Sequence, residues 1–198
     1  MNANPPRQLR VLNLAHRFLR AHVQKGDLCI DATAGRGFDT ALLCELVGAE
    51  GKVLAFDIQQ DAVDSTEALL REKGFENAAV YLDSHANLPQ YASAGSVSAI
   101  VFNFGWLPRG SHEIFTHADS SIAALNAGLK LLRVGGAMSL CIYYGGANGY
   151  AERDALLAYF TTLDSTYFTV LQCQFPNRTG DPPIAVFITK DAEPPAES

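Results

Sequence analysis

Wound at about 100° per residue, positions 8–24 place Val11, Leu12, Ala15, Phe18, Leu19 and Val23 on one side of a cylinder. Arg10, Arg17 and Arg20 gather on the other side. This spacing predicts an amphipathic helix over 8–24, with an apolar stripe against a core and a basic ridge outward. Gly26 and Asp27 end it. Short apolar runs then alternate with helical patterns. Strands are predicted at 28–32, 52–57, 79–82, 97–103 and 137–143, and helices at 39–47, 61–73, 118–132 and 151–163. Gly74 supplies a helix C-cap. Two more strands, 168–175 and 184–190, have only the loop 176–183 between them.

Apolar strands separated by helices pair in parallel, with helices on both faces of the sheet. The last two strands lack a crossover helix and can pair only as an antiparallel hairpin. The expected fold is therefore α/β: a Rossmann-like, seven-stranded, mostly parallel sheet closed by a C-terminal antiparallel hairpin. That arrangement belongs to class I methyltransferases and not to dinucleotide dehydrogenases. One domain is expected over 1–190, followed by a disordered, acidic and proline-rich tail at 191–198.

Composition changes this picture in three ways. With 198 residues, 48% hydrophobic and 18% charged, the chain has material for one continuous core. No apolar run approaches the roughly 20 residues of a membrane span, and positions 1–8 carry no signal-peptide pattern, so a cytoplasmic location without membrane partners is expected. Cys29, Cys44, Cys141 and Cys173 show neither metal-binding spacing nor a disulfide framework, and no metal is expected. The net charge of −6 is unevenly spread. Five of the fifteen Lys and Arg residues precede Asp27 and no acid does, leaving ten bases against twenty-one acids beyond it. The N-terminal ridge is either a solvated face or a phosphate-contacting surface.

The first strand-to-helix turn reads Asp31-Ala-Thr33-Ala-Gly35-Arg36-Gly37-Phe-Asp39-Thr40. Gly35 and Gly37 let the backbone turn sharply beside a ligand. A dinucleotide fingerprint would place a third glycine at position 40, where Thr stands. Asp31 and Asp39 repel a pyrophosphate and suit a cationic amino group and a sulfonium. S-adenosylmethionine is thus the expected cofactor. Asp57 ends the second strand twenty residues after Gly37, where an acid accepts ribose hydroxyls. Ile58 and Gln59 follow beside the same sugar or the adenine, and Asp83-Ser84-His85 is positioned to hold the adenine edge. Val134-Gly135-Gly136 precedes the fifth strand and adds to the pattern.

At the acceptor, an amine must be neutral to attack a sulfonium methyl. Asn103, ending the fourth strand, is a candidate catalytic residue and also a cofactor contact, its carbonyl accepting from the amine. Its alternative role is to cap the following turn. Trp106 is a candidate catalytic and substrate residue through stacking, or a lid over the cofactor. Arg109, His112, Tyr144, Asn177 and Arg178 are candidate substrate contacts. Cys141 and Cys173 read as strand residues, which disfavours covalent methylation at a ring carbon.

The segments 31–40, Phe56-Asp-Ile-Gln59, Asp83-Ser-His85, Phe102-Asn-Phe-Gly-Trp-Leu-Pro108 and Asn177…Pro182-Pro183 resemble the YtqB-like rRNA methylase family over about 28–190. The resemblance implies a class I S-adenosylmethionine-dependent fold. It also implies MnmM-type activity: methylation of the aminomethyl nitrogen of 5-aminomethyl-2-thiouridine at the tRNA wobble position. The chain departs from the family at Arg36, Phe38 and Arg178, and its 143–149 segment lacks two expected histidines. Alternatives are an rRNA or small-molecule methyltransferase, a non-catalytic S-adenosylmethionine-binding module and an NAD(P)-binding oxidoreductase. The expected partner is tRNA or another RNA, with a homodimer extending the basic surface.

Overall fold

In a computed structural model, which describes residues 9–105 and 118–195, the elements follow the predicted alternation. They run α1 (Val11–His22), β1 (Leu28–Asp31), α2 (Phe38–Val47), β2 (Lys52–Asp57), α3 (Gln60–Lys73), β3 (Ala78–Leu82), β4 (Val97–Phe104), α4 (Ala118–Leu131), β5 (Leu132–Ile142), α5 (Gly146–Phe160), β6 (Phe168–Cys173) and β7 (Ile184–Lys190). A 3-10 helix, His85–Gln90, follows β3 and was not anticipated. Its cause is local: Ser84 caps it by accepting the Ala86 N–H, and Pro89 sits within it.

The sheet order is β3-β2-β1-β4-β5-β7-β6. Strands β1 to β5 pair in parallel, and β7 lies antiparallel between β5 and β6. Alternation along each strand sorts the core into two layers. Cys29, Val53, Ala99 and Val101 face α1, α2 and α3, meeting Leu19, Leu43, Cys44 and Leu70. Ile30, Leu54, Phe56, Ile100 and Phe102 face the opposite side, meeting Leu88, Leu125, Leu129 and Leu156.

The start of β5 and the exposure of Leu12 depart from the sequence expectation. Strand β5 begins at Leu132, five residues early, because Gly135 (φ 76°) and Gly136 let it bulge before regular pairing resumes at Ala137. A Cβ on Gly136 would stand 2.8 Å from the Arg133 carbonyl oxygen. On α1, Val11, Ala15, Leu19 and Val23 are buried as expected, but Leu12 is 38% exposed because it lies at the margin of the stripe. Phe18 stacks on Phe187 of β7 at 4.5 Å, which fixes α1 across the antiparallel end of the sheet. At the C-terminus, Asp191 accepts from Thr169 and Thr189, and Glu193 pairs with the buried Lys190 at 2.9 Å. The segment expected to be disordered from 191 is therefore anchored at its start.

Candidate active site

Strand order reverses between β1 and β4. Open α/β sheets form their ligand crevice at such a point, outside the carboxyl ends of the strands. The turn from β1 to α2 lies there. Gly35 (φ 54°) and Gly37 (φ 78°) are both left-handed. At Gly37 a Cβ would also stand 2.9 Å from the Thr66 Cα, so only glycine lets the loop pack on α3.

Acidic side chains hold this loop. Asp57 accepts the Gly35 N–H at 3.0 Å and the Gln59 N–H at 3.0 Å. Each of its oxygens has a second lone pair for another donor. Asp31, expected to face a cationic ligand, is instead fully buried beneath the loop. It accepts from the Thr40 hydroxyl at 2.6 Å and the Thr33 N–H at 3.2 Å. Burial, reinforced by the nearby Asp39 charge, pushes its carboxyl up to about 7. Asp39 bridges three elements. One oxygen is 2.8 Å from His16 Nε2 on α1, and the other accepts from Asn103 Nδ2 at 2.9 Å. The Asn103 N–H donates to Thr33 Oγ1 at 2.8 Å, closing a ring of contacts between the ends of β1 and β4.

The other cofactor candidates divide. Gln59 occupies the N-cap position of α3 without a side-chain cap bond, and Ile58 is 54% exposed beside Asp57. Arg36 reaches outward to Ser65 on α3 at 3.1 Å. Ser84 is half-buried at the start of the 3-10 helix. His85 is buried, edge-on to Phe102 and Phe104. Burial holds its imidazole below the usual range, against a bond to the Ala32 backbone and the Asp57 charge. Asp83 organises this turn by accepting from Tyr91, Asn87 and the Ser84 N–H, all at 2.7 Å. Those bonds keep its carboxyl below the ordinary range, the Tyr91 bond foremost.

Trp106, Arg109 and His112 lie outside the described residues. Tyr144 and Arg178 come together in a cavity of about 310 Å³ beyond β5 and β7, with Phe175, Asp181 and Ile184 in its wall. Asn177 is exposed in the same loop and is not among the lining residues. The Arg178 guanidinium lies 3.7 Å over the Phe175 ring. The Arg153 guanidinium lies 4.6 Å from Tyr144 and 5.0 Å from Tyr150. Such stacks offer flat faces and positive charge together. Cys141 offers no nucleophile, because burial and the Asp39 charge push its thiol up to about 12.

His16 was missed in the sequence. Its only sequence signal is a polar position at the border of the apolar stripe, and nothing in the spacing ties residue 16 to residue 39.

Residues 53–189 match the family described as "Putative rRNA methylase". The chain belongs to this family. It is 32% identical over 191 residues to the Arabidopsis thaliana protein named "tRNA (mnm(5)s(2)U34)-methyltransferase, chloroplastic", with 91% of this chain and 69% of that protein aligned. A Clostridium thermocellum structure described as a "putative rRNA-methylase" is 36% identical, with 93% of this chain and 99% of that one covered and a TM-score of 0.90. A Streptococcus mutans structure, SMU.1697c, described as "a putative methyltransferase" in complex with S-adenosylhomocysteine (SAH), is 34% identical over 93% and 99% of the two chains, with a TM-score of 0.84.

This rRNA methylase family member is an enzyme, a methyltransferase with S-adenosylmethionine as cofactor. The residues present fit that group. Asp57 keeps acceptor capacity at the end of β2, and the exposed Ile58 beside it offers an apolar surface for a purine. Among the described residues no helix is long and apolar enough to cross a membrane.

Proposed function

We propose that this enzyme methylates tRNA, at the aminomethyl nitrogen of a modified wobble uridine. The observation that carries the proposal is the placement of Asn103. It is the penultimate residue of β4, at the crevice, with its backbone N–H on Thr33 and its side-chain NH2 on Asp39. A carboxylate can only accept, so the Asn103 carbonyl is turned away from Asp39. That oxygen accepts an N–H of the amine and aims the lone pair. As a neutral group it stabilises an ammonium ion less than a carboxylate would.

When bound, S-adenosylmethionine supplies an electrophilic methyl on a sulfonium. The chain's residues bind and orient. Asp57 takes the ribose hydroxyls, Ile58 lies against the adenine, and the Gly35–Gly37 turn brings backbone close to the ligand. On the acceptor side, Tyr144 and the Arg178–Phe175 stack receive a splayed nucleotide and its phosphate. By residue type, Trp106, Arg109 and His112 are further proposed substrate contacts. Holding both partners at near-attack distance is the main catalytic contribution. The inert Cys141 thiol supports a nitrogen acceptor over a ring carbon attacked through a covalent adduct.

The likeness to the Arabidopsis tRNA methyltransferase supports the choice of RNA, while the family description keeps rRNA as a second substrate to test. A cytoplasmic location and a homodimer that extends the α1 ridge are part of the same proposal. Mass spectrometry of nucleosides from bulk tRNA and rRNA, with and without the gene, tests it. The methylated aminomethyl-thiouridine is expected to disappear and its unmethylated form to accumulate. Loss of a methylated rRNA nucleoside, with tRNA unchanged, would overturn it.

A further inference from the structure

We infer that His16, on α1, is a positioning residue that sets the orientation of the Asn103 carboxamide through Asp39. The inference rests on the reading that Asn103 faces the acceptor. Its geometry is a three-member chain. His16 Nε2 lies 2.8 Å from Asp39 Oδ1, and Asn103 Nδ2 lies 2.9 Å from Asp39 Oδ2. The chemistry of each contact is fixed by the carboxylate between them, which only accepts. His16 must therefore present an N–H from Nε2, and Asn103 must present its NH2. One donor on each oxygen leaves Asp39 a single rotamer, and that rotamer selects one of the two amide faces of Asn103. The chain is sheltered at its centre: the Asp39 side chain is 13% exposed, whereas His16 is 36% exposed at the outer end.

Remote packing does not explain this arrangement. Helix α1 is already held by Val11, Ala15, Leu19 and the Phe18–Phe187 stack. The His16–Asp39 hydrogen bond adds direction to an attachment that apolar contacts have made. Loss of the His16 donor frees Asp39 to rotate and lets Asn103 present NH2 where its carbonyl belongs. An acceptor amine then meets a donor in place of an acceptor, which costs turnover and leaves the methyl donor bound.

Two variants separate direction from packing. H16F fills the space without a donor, and H16Q restores an N–H near the Nε2 position. With tRNA from a strain lacking the gene, kcat is expected to fall about 10–100-fold in H16F and to recover to within about 3-fold of wild type in H16Q. KM for S-adenosylmethionine and SAH affinity by calorimetry are expected to stay within about 2-fold in both. Nitrogen-15 NMR of the protein with SAH gives a readout that needs no RNA. The two Asn103 side-chain protons should differ strongly in shift in wild type and H16Q, and converge in H16F. An unchanged Asn103 signal in H16F overturns the inference whatever the acceptor is. So does full kcat in H16F, or an H16Q as impaired as H16F. If wild-type enzyme methylates no tRNA, the proposed substrate falls, and the NMR comparison still decides the role of His16.

Discussion

At the carboxyl ends of β1 and β2, Asp31 and Asp57 commit their oxygens to Thr33, Thr40, Gly35 and Gln59. Beyond β5 and β7, the cavity wall includes Tyr144, Phe175, Arg178 and Asp181, with Arg178 stacked on Phe175 and Arg153 on the Tyr144 ring from outside the wall. The first region is a backbone shape enforced by hydrogen bonds, and replacing one acid releases loop amides. The second is a surface of stacked side chains from α5 and the β6–β7 loop, where one replacement leaves the backbone intact. The difference teaches a division of labour. On the proposed assignment, a donor common to many methyltransferases is met by a rigid turn, and the acceptor by groups that can vary without unfolding that turn.

The sharpest way to break this comparison is D57A. The variant removes the acceptor for Gly35 and Gln59 together with the proposed ribose contact, and a charged hydrogen bond is worth about 1.5–3 kcal/mol. SAH affinity by calorimetry is expected to fall about 100-fold, equivalent to about 2.7 kcal/mol. An affinity within threefold of wild type would show that the donor side does not depend on its acids.

A second test concerns the dryness of the donor loop. Burial and the Asp39 charge push Asp31 up to about 7, above its value in an unfolded chain. Between the ordinary carboxylate range and about pH 7 the folded protein thus binds more protons than the unfolded one, and this group's contribution to stability falls as pH rises through that window. D31N has no proton to lose there. The difference in unfolding free energy, wild type minus D31N, should decline by more than roughly 1 kcal/mol from pH 4 to pH 7 in denaturant titrations. A flat difference would mean that Asp31 is ionised in the folded state and that the turn is wetter than its burial indicates.

The two regions also differed in how far they were legible. The donor turn could be read because its determinants are close in sequence: Gly35 and Gly37 demand left-handed backbone, and Asp57 follows one strand later. Even there, polarity misdirected the reading of Asp31. Thr40 lies nine residues on in sequence, and its hydroxyl turns that acid into a buried support under the loop. The strands were legible from their apolar runs, whereas the start of β5 was hidden because Gly135 and Gly136 look like a turn when they form a bulge. His16 was invisible for a different reason. Its partner is 23 residues away, and Asp39 is in turn 64 residues from Asn103, so the chain of contacts exists only once the sheet has assembled. Tyr144 and Arg178 were legible as candidates by residue type, but their shared cavity depends on β7 inserting between β5 and β6.

The smallest expected effect sharpens the acceptor side. R178A removes one positive charge and the cover on Phe175 without touching a backbone hydrogen bond. KM for tRNA is expected to rise about 5-fold, and the slope of log affinity against log salt to lose about one phosphate contact. SAH affinity should not change. R20A on α1 is the companion: its exposed pair with Glu45, 3.2 Å long, is worth under about 1 kcal/mol, so any change in RNA binding reports contact and not folding. If R178A lowers the salt slope and R20A does not, RNA enters over β5 and β7, as the cavity requires. If only R20A lowers it, the RNA crosses the basic ridge of α1. The stacked side chains beyond β7 would then serve packing, and the division between the two regions would have to be redrawn around the N-terminal helix.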